Sequence, residues 1–427
     1  MKVQEMKSRA QFDYAAKFES FEDWSLYNKL EPEQQETIRS ISFDHRLTFE
    51  EFRQVVECCR DLAMQGEGDL KSWWDGQLSM AELHGRELKK HLLGKLTERM
   101  KRWRRTLPVY QNDCRAVQAP RQAAAIRTEK SDKKIYGMCP VASPKTVCCN
   151  LLTIDAVEHC VYGCSYCSIQ TFYGKDIVFD EDFAEKISAI PIEPDRFYHF
   201  GSGQSSDSLA WGNRNGILDA LCQFAEDHPN VLMEFKTKSD NVRYFLERDV
   251  PPNIVCSWSL NTPSVIASEE HLTPRLERRI DAARRVADRG IRVAFHFHPI
   301  IHYQGWDSDY PETARTVGDS FSFEEVAFIS FGSLTMIKPV VRKIRELGRP
   351  TKILQMEQSF DPHGKLTYSD EIKTRLFQAV YESLRPWHGK VFFYLCMEKA
   401  EIWESVFGWA YGSNEEFEQD FGRQVMP

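Results

Sequence analysis

Three cysteines at C-x3-C-x2-C spacing fall within Glu158-His159-Cys160-Val161-Tyr162-Gly163-Cys164-Ser165-Tyr166-Cys167-Ser168-Ile169-Gln170, directly after a strand-like run at 151–157. A loop leaving a strand end can wrap its side chains around one object. Thiolate is the usual protein ligand of iron–sulfur clusters, so Cys160, Cys164 and Cys167 can hold three irons of a [4Fe–4S] cube. The fourth iron then has no protein ligand and can bind a small molecule, which suits chemistry better than electron storage. Two plainer roles compete. The cysteines can belong to a structural zinc site completed by Cys148, Cys149 or His159, or they can be buried thiols. Zinc sites usually come as two spaced pairs, and this chain has no second C-x2-C.

Polar groups recur at the ends of other strand-like runs. Gly201-Ser202-Gly203-Gln204-Ser205-Ser206-Asp207 follows the run at 196–200. Its glycines allow close backbone approach, and its hydroxyls precede a helix start, which suits a carboxylate or a ribose. Its plainer role is a loop with Asp207 as helix cap. Lys236-Thr237-Lys238-Ser239 ends the run at 231–236, where a lysine can pair with an anionic ligand. Trp258-Ser259-Leu260-Asn261-Thr262 ends the run at 254–259, and His296-Phe297-His298-Pro299-Ile300-Ile301 ends the run at 291–297.

The elements that must position these groups begin near residue 147. Strand-like runs at 151–157, 196–200, 231–236, 254–259, 291–297 and 326–331 alternate with helical segments at 180–189, 207–228, 241–248, 274–289 and 312–317. Such alternation predicts an α/β fold with a parallel sheet and crossover helices. Six units are two short of a complete eight-fold barrel, and ligands in this architecture gather beyond the C-terminal strand ends. A helix at 368–385, a short strand at 390–395 and a helix at 399–407 close the chain.

Residues 1–108 read as helical, with apolar positions at helical spacing over 21–29, 32–40, 48–65 and 69–84. Thr48 before Glu50-Glu51 has the pattern of an N-cap, and Cys58-Cys59 reads as core. Residues 86–105 hold nine Lys or Arg against Glu87 and Glu98, a local net of +7 within a chain of net −8. Leu88, Leu92, Leu96, Met100 and Trp103 mark a buried stripe, so this is a basic amphipathic helix. It is either a grip on nucleic-acid phosphates or a solvated face. The domains expected are therefore helical (1–108, ending at Pro108), a linker broken by Pro120, Pro140 and Pro144 (109–146) and a barrel (147–427).

With 42% hydrophobic and 28% charged residues, the 427-residue chain has the composition of a soluble globular protein. The N-terminal Met1-Lys2-Val3-Gln4-Glu5-Met6 has no apolar h-region after it. No apolar run approaches the roughly 18 residues of a membrane span. Twelve cysteines in a chain this long point to a reducing, cytoplasmic setting and to metal binding before disulfides.

The C-x3-C-x2-C spacing, with Tyr166 before the last cysteine, resembles the signature of the radical S-adenosylmethionine (SAM) enzymes. That resemblance implies a partial (β/α)6 TIM-like barrel with, here, an N-terminal helical extension. It implies a [4Fe–4S] cluster whose open iron is chelated by SAM, and an external flavodoxin- or ferredoxin-like electron donor. In that group the reduced cluster cleaves SAM to methionine and a 5′-deoxyadenosyl radical. A narrower likeness follows from Gly163-Cys164-Ser165-Tyr166-Cys167-Ser168-Ile169-Gln170-Thr171, Ser205-Ser206-Asp207, Thr237-Lys238, Trp258-Ser259-Leu260-Asn261-Thr262 and His298-Pro299-Ile300-Ile301 before Gly305-Trp306. Their order, over about 150–410, is similar to the spore photoproduct lyase family, whose members repair a DNA lesion. By motif match the resemblance implies Ser205 or Ser206, Lys238, Ser259 and Asn261 around SAM, the His298 backbone near the adenosyl group, and Tyr166 among the catalytic groups. It departs at Gln204, where the lyase has the cysteine that returns a hydrogen atom, and at Ser168, where the lyase has a tyrosine. A reading from another class is a non-catalytic nucleic-acid-binding protein stapled by zinc or an Fe–S site.

Overall fold

The computed structural model describes residues 14–110, 124–139, 145–172, 174, 176–357 and 359–427. Pro120, Pro140, Pro144 and the N-terminal hexapeptide lie outside them. The chain divides into two compact units, Met1–Pro108 with Lys338–Glu357, and Val109–Ile337 with Gln358–Pro427.

The first unit is helical: Pro32–His45, Phe49–Gln65, Leu70–Ser79, Gly85–Arg105 and Lys338–Leu347. Thr48 caps the second of these, accepting from Glu51 N while the Glu51 side chain accepts from Thr48 N. This reciprocal pair satisfies two donors that a helix start leaves open. Phe18, Phe52, Trp74, Leu92 and Leu96 form the core, together with Cys58 and Cys59. In the basic helix Leu92, Leu93, Leu96, Met100 and Trp103 are buried. Five of its nine cations have partners within the unit, two of them in surface pairs, Lys95 with Glu98 (3.5 Å) and Arg105 with Glu357 (3.8 Å). Lys89 pairs with Glu51 (2.9 Å) and Arg104 with Asp61 (3.6 Å). Arg99 donates to the Glu67 carbonyl (3.0 Å) and lies over Trp73. Lys101, Arg102 and Arg105 are exposed. Lys338–Leu347 enters the unit through Arg345, which binds both carboxylate oxygens of buried Asp61 (2.7 and 2.9 Å) and one of Glu57 (2.6 Å).

The second unit is built on β1 (Leu152–Ile154), β2 (Tyr198–Ser202), β3 (Val231–Thr237), β4 (Ile254–Leu260), β5 (Arg292–Ile300), β6 (Val326–Ser333) and β7 (Phe392–Leu395). All seven pair in parallel and in chain order. Tyr136–Met138 adds antiparallel to β1. Parallel strands need long crossovers. These are supplied by Phe183–Ser188, Ile217–Asp227, Arg243–Glu247, Leu276–Ala287 and Trp306–Ser320. The expected partial barrel is thus observed, with β1–β6 on the six anticipated runs and β7 as a seventh strand beside β6. Parallel sheets are covered on both faces, so their strands read as apolar runs. β4 and β6 accordingly are buried along nearly their whole length. An isolated antiparallel bridge between Val147 and Glu398 links the approach to β1 with the exit from β7.

The helix expected over 207–228 begins only at Ile217. Before it the chain turns at Gly212 and Gly216, both with positive φ. Asp207 caps no helix; its carboxylate is used elsewhere, as described below.

Candidate active site

The cysteine loop leaves the region of β1 and is seated on the turn at Glu269-Glu270-His271. Gly163 N donates to the His271 carbonyl (3.0 Å), and Ser165 N donates to the Glu269 carbonyl (2.8 Å). The Tyr166 hydroxyl donates to the Glu270 carboxylate. Two backbone bonds and two side-chain bonds, the second between Ser165 Oγ and His271 Nε2 (3.3 Å), therefore fix the loop that carries the three thiols.

Cys164 is buried, and Cys160 and Cys167 are half-buried. Burial pushes the Cys160 thiol up to about 12, with Asp207 and Cys167 adding to the rise. Burial likewise raises Cys164 and Cys167, and Cys164 feels both of the other thiols. Backbone N–H groups of Tyr162 and Asp207 point at the Cys160 sulfur, and that of Ile169 at Cys167. The Lys238 ammonium favours the thiolate at Cys164 and Cys167. Donors and a cation aimed at sulfur are what a set of thiolates on a metal centre requires.

Lys238 Nζ donates to Ser259 Oγ (2.6 Å) and lies 3.9 Å from Glu270 Oε1. Ser259 Oγ donates onward to the His298 carbonyl (3.0 Å). Asn261 Nδ2 donates to Glu270 Oε1 (3.4 Å) and to the Pro299 carbonyl (3.0 Å), while its oxygen accepts from Tyr310 (2.6 Å). Tyr166 of the cysteine loop, with Lys238 and Asn261 from adjacent strand ends, thus meet at one carboxylate, and Ser259 and the His298 carbonyl join them through Lys238. Glu270 itself is fully buried against Arg279 (Nη2–Oε2 2.6 Å). Burial pushes its carboxyl up, but the Arg279 and Lys238 charges and the bonds from Tyr166 and Arg279 outweigh it, leaving the group below the usual carboxylate range.

The loop after β2 reaches the same place by another route. Asp207 accepts from the Leu209 and Ala210 N–H groups (3.0 and 2.9 Å), from Thr237 Oγ1 (2.7 Å) and from Lys238 N (2.7 Å). It ties that loop to the end of β3. Ser205 Oγ donates to the Val157 carbonyl (2.7 Å), so its hydroxyl braces the approach to the cysteine loop. Ser206 Oγ is buried and has no partner among the described residues. Gly203 (φ +96°) lies so close to β3 that an added Cβ would stand 2.5 Å from the Lys236 carbonyl oxygen. Gln204, half-buried, sits between Gly203 and Ser205.

These features fit a three-thiolate cluster with a SAM-sized ligand beside it. The donor set is all thiol, the loop after β2 carries an orphaned hydroxyl, and the close backbone approach excludes any side chain at Gly203. Among the described residues no three His, Cys, Asp or Glu side chains stand close enough to hold one metal ion.

Sequence reasoning misses Glu270 and Arg279. Glu269-Glu270 reads as an ordinary acidic pair between the run at 254–259 and the helical segment at 274–289, and no spacing rule connects it to an arginine in that helix. A second polar network lies deeper in the barrel. Glu234 accepts from His199 (2.8 Å), His296 (2.6 Å) and Ser257 (2.5 Å), and Ser330 bridges His296 to the His298 ring.

Among known proteins, the spore photoproduct lyase profile matches residues 150–369. A spore photoproduct lyase of Clostridium acetobutylicum is 24% identical over 199 residues, 45% of this chain and 59% of that protein. One of Geobacillus sp. is 24% identical over 233 residues, 51% of this chain and 68% of that protein. The match thus spans less than two thirds of the clostridial relative. A solved spore photoproduct lyase complexed with dinucleoside spore photoproduct superposes with TM-score 0.55 at 19% identity, covering 63% of this chain and 82% of its own. A mutant of such a lyase with bound AdoMet and the same dinucleoside gives TM-score 0.53 at 19% identity, with coverage of 63% and 82%. The profile alone takes in more than half of the sequence, its span opens just ahead of β1 and includes the cysteine loop and the ends of β1–β6, and the chain therefore belongs to the spore photoproduct lyase family of the radical SAM superfamily.

Proposed function

We propose that this chain is a radical SAM enzyme that acts on a lesion in DNA. The observation that carries this reading is the seating of a three-thiol loop beside the Lys238–Ser259 pair on one buried carboxylate, Glu270. Cys160, Cys164 and Cys167 would hold a [4Fe–4S] cluster. Lys238, Ser206, Ser259 and the His298 backbone would face SAM, with Ser205 and Asn261 holding their loops. When bound, these two groups supply a hydrogen-abstracting radical that no side chain here can provide. Tyr166 keeps the loop in register through Glu270, Lys238 offers a cation for a carboxylate, and buried walls keep water from a reactive centre.

The test is anaerobic incubation of the reconstituted full chain with SAM, dithionite and ultraviolet-irradiated spore-type DNA. 5′-Deoxyadenosine and restored thymine are expected together. Neither product from protein with its full iron complement overturns the enzyme reading. Deoxyadenosine without thymine moves the substrate elsewhere. Gln204 favours that second outcome, because an amide is a poor hydrogen-atom donor compared with a thiol.

The basic helix is proposed as a separate phosphate-binding face. Arg104 is excluded from its test because Asp61 holds it. Neutralising Lys101, Arg102 and Arg105 together is expected to weaken DNA binding and to flatten the salt dependence by about 0.9 for each phosphate no longer neutralised. A binding isotherm series with unchanged slope would assign this helix to solvent. Among the described residues no helix is long and apolar enough to cross a membrane.

A further inference from the structure

Four other cysteines of the barrel unit converge from three segments, and the site above uses none of them. Cys139 follows Tyr136–Met138, and its N–H donates to the Leu151 carbonyl (2.9 Å). Cys148 and Cys149 stand in the approach to β1. Cys396 directly follows β7, with its N–H on the Phe331 carbonyl (2.8 Å). The Val147–Glu398 bridge joins these last two segments. Two residues inward from its two ends stand Cys149 and Cys396. The Cys148 and Cys149 thiols are hydrogen-bonded, and Cys149 also feels Cys396 and Cys139. None of the four is in a disulfide.

A cation lies on the Cys396 side of this group. Strand alternation turns Lys236 to the same side as Glu234, into the barrel. Its ammonium has no hydrogen-bond or ion-pair partner among the described residues, and its charge reaches Cys396. Leaving a half-buried ammonium unpaired is unfavourable unless an anion joins it. Four thiolates on a metal centre carry net negative charge, which such a cation would offset.

We propose that Cys139, Cys148, Cys149 and Cys396 ligate a second iron–sulfur cluster, distinct from the one expected on Cys160, Cys164 and Cys167, with Lys236 offsetting its charge. The test is iron and acid-labile sulfide in the anaerobically reconstituted full chain and its variants. The triple variant C160A/C164A/C167A is expected to keep roughly half the wild-type iron, since each set can hold one cluster. Adding Cys149→Ser and Cys396→Ser should remove the remainder with circular dichroism unchanged. Lys236→Met, which keeps every thiol, should make the reduction potential of the centre in the triple variant more negative. A folded triple variant without iron, or with one zinc in its place, overturns the proposal; an unmoved potential removes Lys236 from it. If the triple variant holds as much iron as wild type, the Cys160–Cys167 assignment has failed and this one has not.

Discussion

Cys164→Ala is expected to reduce 5′-deoxyadenosine formation under dithionite to background. The substitution removes one of three thiols and leaves the loop's backbone anchors, Gly163 N on His271 and Ser165 N on Glu269, in place. Loss of a group that merely orients a ligand already costs about 10–100-fold in metal affinity, so loss of a ligand should exceed about a hundredfold. On the proposed function, the two remaining thiols would not hold the cluster, and the site would lose the group beside which SAM would bind. The measurement is chromatographic deoxyadenosine after reconstitution, read beside iron content and circular dichroism. Unchanged turnover in the folded variant would rule out the three-cysteine ligand set. A comparable Cys222→Ala change, inside the helix Ile217–Asp227, should leave deoxyadenosine formation unaltered.

The second large effect is expected at the Glu270–Arg279 pair. Both groups are buried. Arg279 also donates to the Ser259 carbonyl (2.9 Å), the Pro274 carbonyl (2.9 Å) and Thr273 Oγ1 (2.6 Å). Glu270→Ala leaves the guanidinium uncompensated, which should destabilise the protein by about 3–5 kcal/mol. It also releases Tyr166, Lys238 and Asn261 at once, so SAM binding should be lost. Combining Glu270→Ala with Arg279→Met separates the two effects, because it leaves neither charge alone. The thermal midpoint of that double variant should recover most of the way towards wild type, while SAM binding by equilibrium dialysis stays absent. Recovery of both would reduce Glu270 to a structural partner of Arg279 and remove it from the site.

The parts of this site that are legible in sequence are local ones. Three cysteines on one loop declare their own spacing, and Thr48 with Glu51 declares a helix start. The strands β2–β6 announce themselves as apolar runs, and those of β2–β5 end in polar residues. What stays hidden depends on distance along the chain. Arg279 lies in a helical segment rich in charge, where Arg278, Arg284 and Arg285 look the same; only its Glu270 partner distinguishes it. Asp207 reads as a helix cap because a carboxylate before a helical pattern usually is one, but its bonds to Thr237 and Lys238 come from the end of β3, 30 residues and more along the chain. β7 is four residues long, and nothing in four residues says which edge of a sheet they will join.

Arg345 meets Asp61 across 284 positions of sequence. A nascent chain that has just emitted residue 108 therefore holds a helical bundle with a missing piece. Until the ribosome has added Lys338–Leu347, the Asp61 carboxylate waits with Arg104, at 3.6 Å, as its nearby cation. Maturation of the amino-terminal portion is thereby tied to synthesis of nearly all the barrel strands, and cutting the gene at codon 108 would separate a bundle from its own keystone.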